Sequence, residues 1–209
     1  MSLDITPATV LEAPVAERII AAAADLIAVQ GLRATSVDDI ASAAGCGRAT
    51  VYRYFPGGRS ELLDVTLDRG VDRIFAACTR LTDHATSLAE AVAGTINIAV
   101  LELLTDAVVQ QLLVDEPDTM ATLISPVRIE PLLERAAGWG GEHFARFVEP
   151  AIATHIGQWC ARVVTDHLRS PAPIIDITDP TIARSLVDTF LLPSLTPAPV
   201  AGVSRIRTT

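Results

Sequence analysis

Lysine is absent from this chain: all sixteen basic residues are arginine. That bias fits a GC-rich coding sequence and carries no chemistry by itself. Cysteine is nearly as scarce, with Cys46, Cys78 and Cys160 far apart and odd in number. Such a set excludes a closed disulfide framework and a C-x-x-C metal knot, and the three are expected as reduced thiols. His84, His143, His155 and His167 show no H-E-x-x-H spacing, and there is no glycine-rich phosphate loop, so neither a zinc site nor a nucleotide cradle is predicted. Cys160 has no sequence partner that would make it a nucleophile. The chain is therefore expected not to be an enzyme and to need no metal or cofactor. Long hydrophobic runs are missing too, since no stretch reaches the roughly 18 uninterrupted apolar residues of a membrane span. The uncharged run 189–204 is interrupted by Pro193, Pro197 and Pro199, which would break a spanning helix. No basic residue precedes Arg18, unlike the positively charged start of a secretory signal. A cytoplasmic protein without membrane contact is the expectation.

What is present points to a packed globular chain. Half of the residues are hydrophobic and a fifth are charged, far from the composition of disordered chains. The formal net charge of −9 excludes a surface that attracts phosphate everywhere. Its distribution is uneven: residues 1–59 hold five arginines against six acids, and residues 60–209 hold eleven against nineteen. The acidity is concentrated behind the first quarter of the chain.

Aromatic residues are only 4% of the total, alternating polar and apolar runs are short, and apolar residues recur at intervals of three and four. An all-α fold follows. The first helix is predicted to start at Pro14, a residue favoured at the first helical position, and to run to Gly31. A second starts after Ser36, which can cap it while Asp39 returns a bond in a variant of the capping box, and ends at Gly45. The third, 48–55, stops against Pro56-Gly57-Gly58. From Arg59 a longer helix leads to others predicted at 88–104, 107–114, 119–124, 128–137, 142–148, 150–168 and 180–192, the last with Asp179 as its cap. The implied organisation is a loose, disordered arm over 1–13, a three-helix module over 14–58, a larger helical domain over 59–194 and a loose tail over 195–209.

The second and third helices have the spacing of a helix-turn-helix. With Val37 as the first position, Ala41 is fifth, Gly45 ninth and Val51 fifteenth. Two helices crossing steeply at short range need a small residue at the fifth, a residue tolerating positive φ at the ninth and an apolar wedge at the fifteenth. Glycine-separated alanine-rich helices meet these three conditions by chance as well. The third helix adds a second signal, because Val51 and Phe55 face one side while Arg48, Ala49, Tyr52 and Arg53 gather on the other, flanked by Thr50 and Tyr54. That outer face suits a major groove: arginine can grip guanine with two bonds, a small Ala49 permits close approach, and tyrosine hydroxyls can hold phosphates. Solvated arginines and half-buried tyrosines are the competing explanation for the same residues.

The segment 19–63, with Ser36-Val37-Asp38-Asp39-Ile40-Ala41, the Ala44-Gly45 turn, Thr50-Val51-Tyr52-Arg53-Tyr54-Phe55 and Glu61-Leu62-Leu63, resembles the DNA-binding domain of the tetracycline-repressor (TetR) family. The resemblance implies a homodimeric transcriptional regulator, usually a repressor, bound to a palindromic operator on double-stranded DNA and released by a small-molecule effector. It makes Ser36 a helix cap and phosphate contact, and makes Arg48, Ala49, Thr50 and Arg53 candidates for base or nearby backbone contact. Tyr52 and Tyr54 become phosphate anchors. Two positions depart from the family pattern. Gly47 stands where the family often has serine at the cap of the recognition helix, and Arg59 stands four residues after Phe55, where a lysine usually follows by three.

Beyond residue 70 only general physics guides the reading. Asn97 and Glu102 lie in the nearly all-apolar stretch 96–104, and buried polar groups need partners; a ligand or internal hydrogen bonds would serve equally. Trp139, His143, Phe144 and Phe147 bring rings near a flexible glycine pair, a fair pocket candidate, with plain core packing as the alternative. Ile152, Ile156, Trp159 and Val163 form one helical stripe, and Ile182, Leu186 and Phe190 another; in the resembling family the last two long helices pair across the dimer. A site-marking or architectural DNA-binding protein of the same fold, without a ligand switch, is the second functional reading.

Overall fold

The computed structural model describes residues 8–170 and 175–195, and every regular element among them is helical. Ten main helices follow in order: α1 (Ala8–Ala34), α2 (Val37–Ala43), α3 (Arg48–Tyr54), α4 (Gly58–His84), α5 (Leu88–Thr105), α6 (Ala107–Asp115), α7 (Pro117–Leu123), α8 (Pro126–Phe144), α9 (Pro150–Arg169) and α10 (Pro180–Leu186). A π-helical turn, Val187–Leu191, carries α10 on to Leu195. The expected loose ends, 1–13 and 195–209, fall largely outside the described residues; α1 begins at Ala8 and runs through Pro14 rather than starting there.

Three clusters of buried side chains organise these helices. Ile19, Ile20, Ala23, Ile40, Val51 and Leu62 bind α1, α2, α3 and the start of α4 into the N-terminal module. Burying such side chains stabilises by about 1.5–3 kcal/mol each. A larger cluster surrounds α5, where Ile96 and Val100 meet Phe144, Ile156 and Val187. Between the two, Ile27 and Leu63 pack on Val108, Leu112, Met120 and Leu168, so α1 and α4 rest directly on the larger domain. By length and hydropathy α5 alone among the described helices could cross a membrane. It is instead the central helix of the larger domain, with Ala91, Val92, Ile96 and Val100 fully enclosed.

The second half departs furthest from the expected helix boundaries around the glycines near Trp139. Residues 128–137 and 142–148 were expected as separate helices around a flexible glycine pair, whereas α8 is continuous from Pro126 to Phe144. Its glycines serve a close crossing. A Cβ on Gly140 would stand 2.5 Å from the Cα of Gly157 in α9, so the two helices touch backbone to backbone only because neither residue has a side chain.

Candidate nucleic-acid interface and regulatory cavity

Ser36 starts α2 with a reciprocal capping box: its hydroxyl accepts from the Asp39 backbone N–H at 3.1 Å, and the Asp39 carboxylate accepts from the Ser36 backbone N–H at 3.0 Å. The Ser36 hydroxyl, which also donates to that carboxylate, and next the Ser36 backbone N–H hold the Asp39 carboxyl below its ordinary value. At the other end Gly45 takes φ +65°, a left-handed turn that costs glycine little and most residues more. Ile40 and Val51 are fully buried and Ala41 nearly so, so the wedge and the small crossing residue occupy the places their spacing predicts. Gly47 opens α3 without a side-chain cap.

The outward face of α3 carries Arg48, Ala49, Tyr52 and Arg53, all exposed, with Thr50 and Tyr54 half-buried beside them. Two cation–π pairs order this face. The Arg48 guanidinium lies 5.5 Å from the centre of the Tyr52 ring, and that of Arg53 lies 4.9 Å from the centre of Tyr54. Arg48 also pairs with Asp38 at 3.0 Å. The bond to Tyr52 first, and the Asp38 charge second, raise its pKa further above its already high ordinary value, so it stays a cation. An exposed pair of this kind is worth little, about 0–1 kcal/mol, and gives way readily to a phosphate or a guanine edge.

Gly58 follows at φ +60°, and a Cβ there would stand 3.1 Å from the Tyr52 ring. The Pro56-Gly57-Gly58 departure from the family pattern therefore makes the seat on which Tyr52 rests. Arg59 is partly engaged inside the protein: its Nη1 donates to the carbonyls of Arg33 at 3.1 Å and Thr35 at 3.2 Å, tying α4 to the loop before Ser36. Three supporting residues escaped the sequence reading. Arg18 donates from Nε to the Ala44 carbonyl at the end of α2. Asp38 orients Arg48. Glu116, only 3% exposed, reaches from the larger domain to accept from the Arg33 backbone N–H at 2.8 Å, under the kink made by Gly31 at φ +83°. A lone acid between two helices carries no sequence pattern that marks such a role.

In the larger domain the expected pocket residues separate. Trp139 stacks on His143 at 4.5 Å between ring centres and meets the edge of Phe144 at 5.3 Å. Its Nε1 donates to the Thr79 hydroxyl at 2.9 Å; His143 Nε2 lies 3.1 Å from that hydroxyl, and Nδ1 lies 2.9 Å from the Trp139 carbonyl. For the uncharged ring this closes one way, with Thr79 donating to Nε2 and Nδ1–H donating to the carbonyl. Phe144 is fully buried core, and Phe147 packs against the same cluster beneath the Arg146 guanidinium. Asn97 is engaged as well, donating to the carbonyls of Ile177 and Thr178 at 3.0 and 2.8 Å, which fastens the segment before α10 onto α5. Trp139 and Glu102 remain at cavities. An inner chamber between α4, α5, α8 and α9 has Phe75, Ala99, Leu103 and Trp139 in its wall. An outer one is lined by Arg73, Glu102, Asp106 and Arg128 together with apolar residues.

Of the two stripes expected at a dimer interface, one residue turns inward. Ile156, 2% exposed, belongs to the core under α9. Its neighbours Ile152, Trp159 and Val163 are half-buried, as are Ile182 and Leu186, and Phe190 is 65% exposed.

The sequence profile described as "Bacterial regulatory proteins, tetR family" matches residues 19–65. That match takes in the helix-turn-helix and marks the N-terminal module as similar to the tetR family. Among curated proteins, an uncharacterized HTH-type transcriptional regulator of Mycobacterium tuberculosis, present in strains CDC 1551 and H37Rv, is 38% identical over 60 residues. Those residues are 29% of this chain and 31% of the relative, so the likeness spans about a third of the relative's length. Solved structures extend the tetR fold over most of the chain. The TetR family repressor AlkX from Dietzia sp. strain DQ12-45-1b superposes with a TM-score of 0.66 at 20% identity, covering 82% of this chain and 90% of AlkX. A transcriptional regulator from Streptomyces coelicolor A3(2) gives 0.57 at 25% identity, over 83% and 95% of the two chains. The fatty acid degradation regulator FadR from Bacillus halodurans gives 0.53 at 20%, over 84% and 99%.

Proposed function

We propose that this tetR-family chain is a sequence-specific DNA-binding transcriptional regulator, a homodimeric repressor released from a palindromic operator by a small molecule. The observation that carries the reading is the outward face of α3, where Arg48, Tyr52 and Arg53 stand exposed and mutually ordered above a buried Val51 wedge. The acidic remainder of the chain is repelled by DNA, which confines phosphate contact to this face. Ser36, Gly47, Ala49, Thr50 and Tyr54 complete the reading surface, with Arg59 contributing whatever donors its internal bonds leave over. Dimerisation uses the half-buried apolar edge of α9 around Trp159 together with the exposed Phe190 in the turn after α10; two copies so joined present two α3 helices to successive half-sites. An enclosed apolar chamber favours the ligand-released repressor over the architectural reading, which has no use for one. Localisation in the cytoplasm and the absence of catalysis follow from this role.

The test is selection of bound genomic fragments, followed by titration of the recovered site. An inverted repeat is expected, with an affinity that falls steeply with salt. Arg48→Ala is expected to lower affinity for that site by about tenfold or more, and Tyr52→Ala to weaken all sequences alike. Binding that ignores sequence, or a protein that sediments as a monomer at working concentration, would overturn the proposal.

A further inference from the structure

The inner chamber has an almost wholly hydrocarbon wall, and the groups in it that could hydrogen-bond are nearly all engaged. Trp139 Nε1 is bonded to Thr79. Thr165 donates to the Ala161 carbonyl at 2.7 Å. Cys78 and Cys160 keep their protons, since burial pushes the Cys78 thiol up to about 12 and shifts Cys160 in the same direction. Thr95 is the exception. It lines the chamber, is 5% exposed, and its Oγ1 is the one buried side-chain oxygen or nitrogen among the described residues with no hydrogen-bond partner.

Other helical threonines of this chain show what Thr95 forgoes. Thr66, Thr105, Thr122, Thr154 and Thr165 each donate to the carbonyl four residues earlier, at 2.7 to 3.0 Å. An unpaired buried hydroxyl is costly, so its persistence at a cavity wall marks a group kept for a partner the protein itself does not supply.

The route to the chamber is equally uninviting to ions. Val71, Ile74, Leu103, Leu132 and Thr165 belong to the walls of both the inner and the outer cavity, which therefore lie against each other. At the outer mouth Arg73 is paired with Asp106 at 2.7 Å and Arg128 with Asp64 at 2.5 Å. Each guanidinium already has a carboxylate beside it, which an incoming acid would have to displace. Further in, no carboxylate or guanidinium belongs to the wall, and an ion placed there would lose its hydration without a counter-charge.

We propose that the inner chamber binds an uncharged, mainly hydrocarbon molecule bearing one hydrogen-bonding oxygen, and that Thr95 Oγ1 receives that oxygen. This deepens the regulator reading, on which only the consequence of binding rests; the binding itself does not depend on it.

The experiment uses the full chain without DNA and measures calorimetric or tryptophan-fluorescence titrations with 1-octanol, nonane, octanoate and octylammonium. Comparing the alcohol with nonane, its methyl-ended counterpart, between the parent and Thr95→Val isolates the coupling of the two hydroxyls. The variant is expected to weaken 1-octanol by about fivefold and to leave nonane within about twofold, as one neutral hydrogen bond implies. Thr95→Ser is expected to keep the alcohol's affinity. Both ions should bind the parent at least about tenfold more weakly than the alcohol. Unaltered nonane binding shows that the variant is folded around an intact chamber. The proposal is overturned if the parent does not bind 1-octanol, if Thr95→Val changes alcohol and alkane alike or neither, or if an ion binds as tightly as the alcohol. Operator affinity of the unliganded protein is measured separately, so a failure there would strike the regulator reading and leave the chamber result standing.

Discussion

Replacing Gly157 by alanine sets helix propensity against packing at a single atom. In an unhindered helix interior alanine is favoured over glycine by about 1 kcal/mol. At the crossing of α8 and α9, however, the new Cβ would stand 2.8 Å from the Cα of Gly140 and run into the carbonyl oxygen of Ala136. Both obstacles are backbone, so no rotamer relieves them and the helices must part along their length. Overpacking of this kind costs about 1–3 kcal/mol, and a backbone obstacle places it at the upper end. The net expectation is destabilisation by about 2 kcal/mol, or a fall in Tm of about 4–8 °C for a chain of this size. Gly138→Ala supplies the internal control, because it lies in α8, the partner helix of the crossing, with nothing within 4 Å of its added Cβ. It should stabilise by about 0.5–1 kcal/mol. Urea unfolding at one fixed protein concentration, with unchanged slope, reads both effects. A Gly157→Ala midpoint at or above that of the parent would refute the close-crossing argument, whatever Gly138→Ala does.

Two further outcomes follow from the buried groups. With Cys78 and Cys160 enclosed and their thiols shifted well above the ordinary range, a thiol reagent at neutral pH should titrate only the half-buried Cys46 in the native protein and all three in denaturant; rapid reaction of two or more in the native state would contradict the burial. Glu116→Ala leaves the Arg33 backbone N–H without its acceptor and should destabilise by about 1–3 kcal/mol, whereas Glu116→Gln, which keeps an acceptor oxygen, should retain most of the difference; equal melting of the two variants would show that the contact does not hold the kink at Gly31.

Much of the molecule was legible because its determinants are local. Ser36 with Asp39, Gly45 with positive φ, and the Ala41 and Val51 pair sit within a few residues of what they contact. Steric rules at fixed spacing were enough to locate α2, the turn and α3. The outward set Arg48, Ala49, Tyr52 and Arg53 followed from the 3.6-residue period once Val51 faced inward. Arg59 was harder, since its bonds run to carbonyls of Arg33 and Thr35, more than twenty positions away. Its candidacy for phosphate could be argued from position, while its internal engagement could not.

Local chemistry and helical period therefore determined, from sequence alone, the all-helical class, the helix-turn-helix spacing and which residues of α3 turn outward. Tertiary structure decided the rest. It decided that the glycines around Trp139 join one continuous helix to a close neighbour, that Ile156 turns into the core while Phe190 turns out, and that Asn97 holds a distant loop while Thr95 is left unpaired. These outcomes depend on which surfaces meet at separations of seventeen to eighty positions along the chain, and neither backbone propensity nor side-chain period carries information about encounters at that separation.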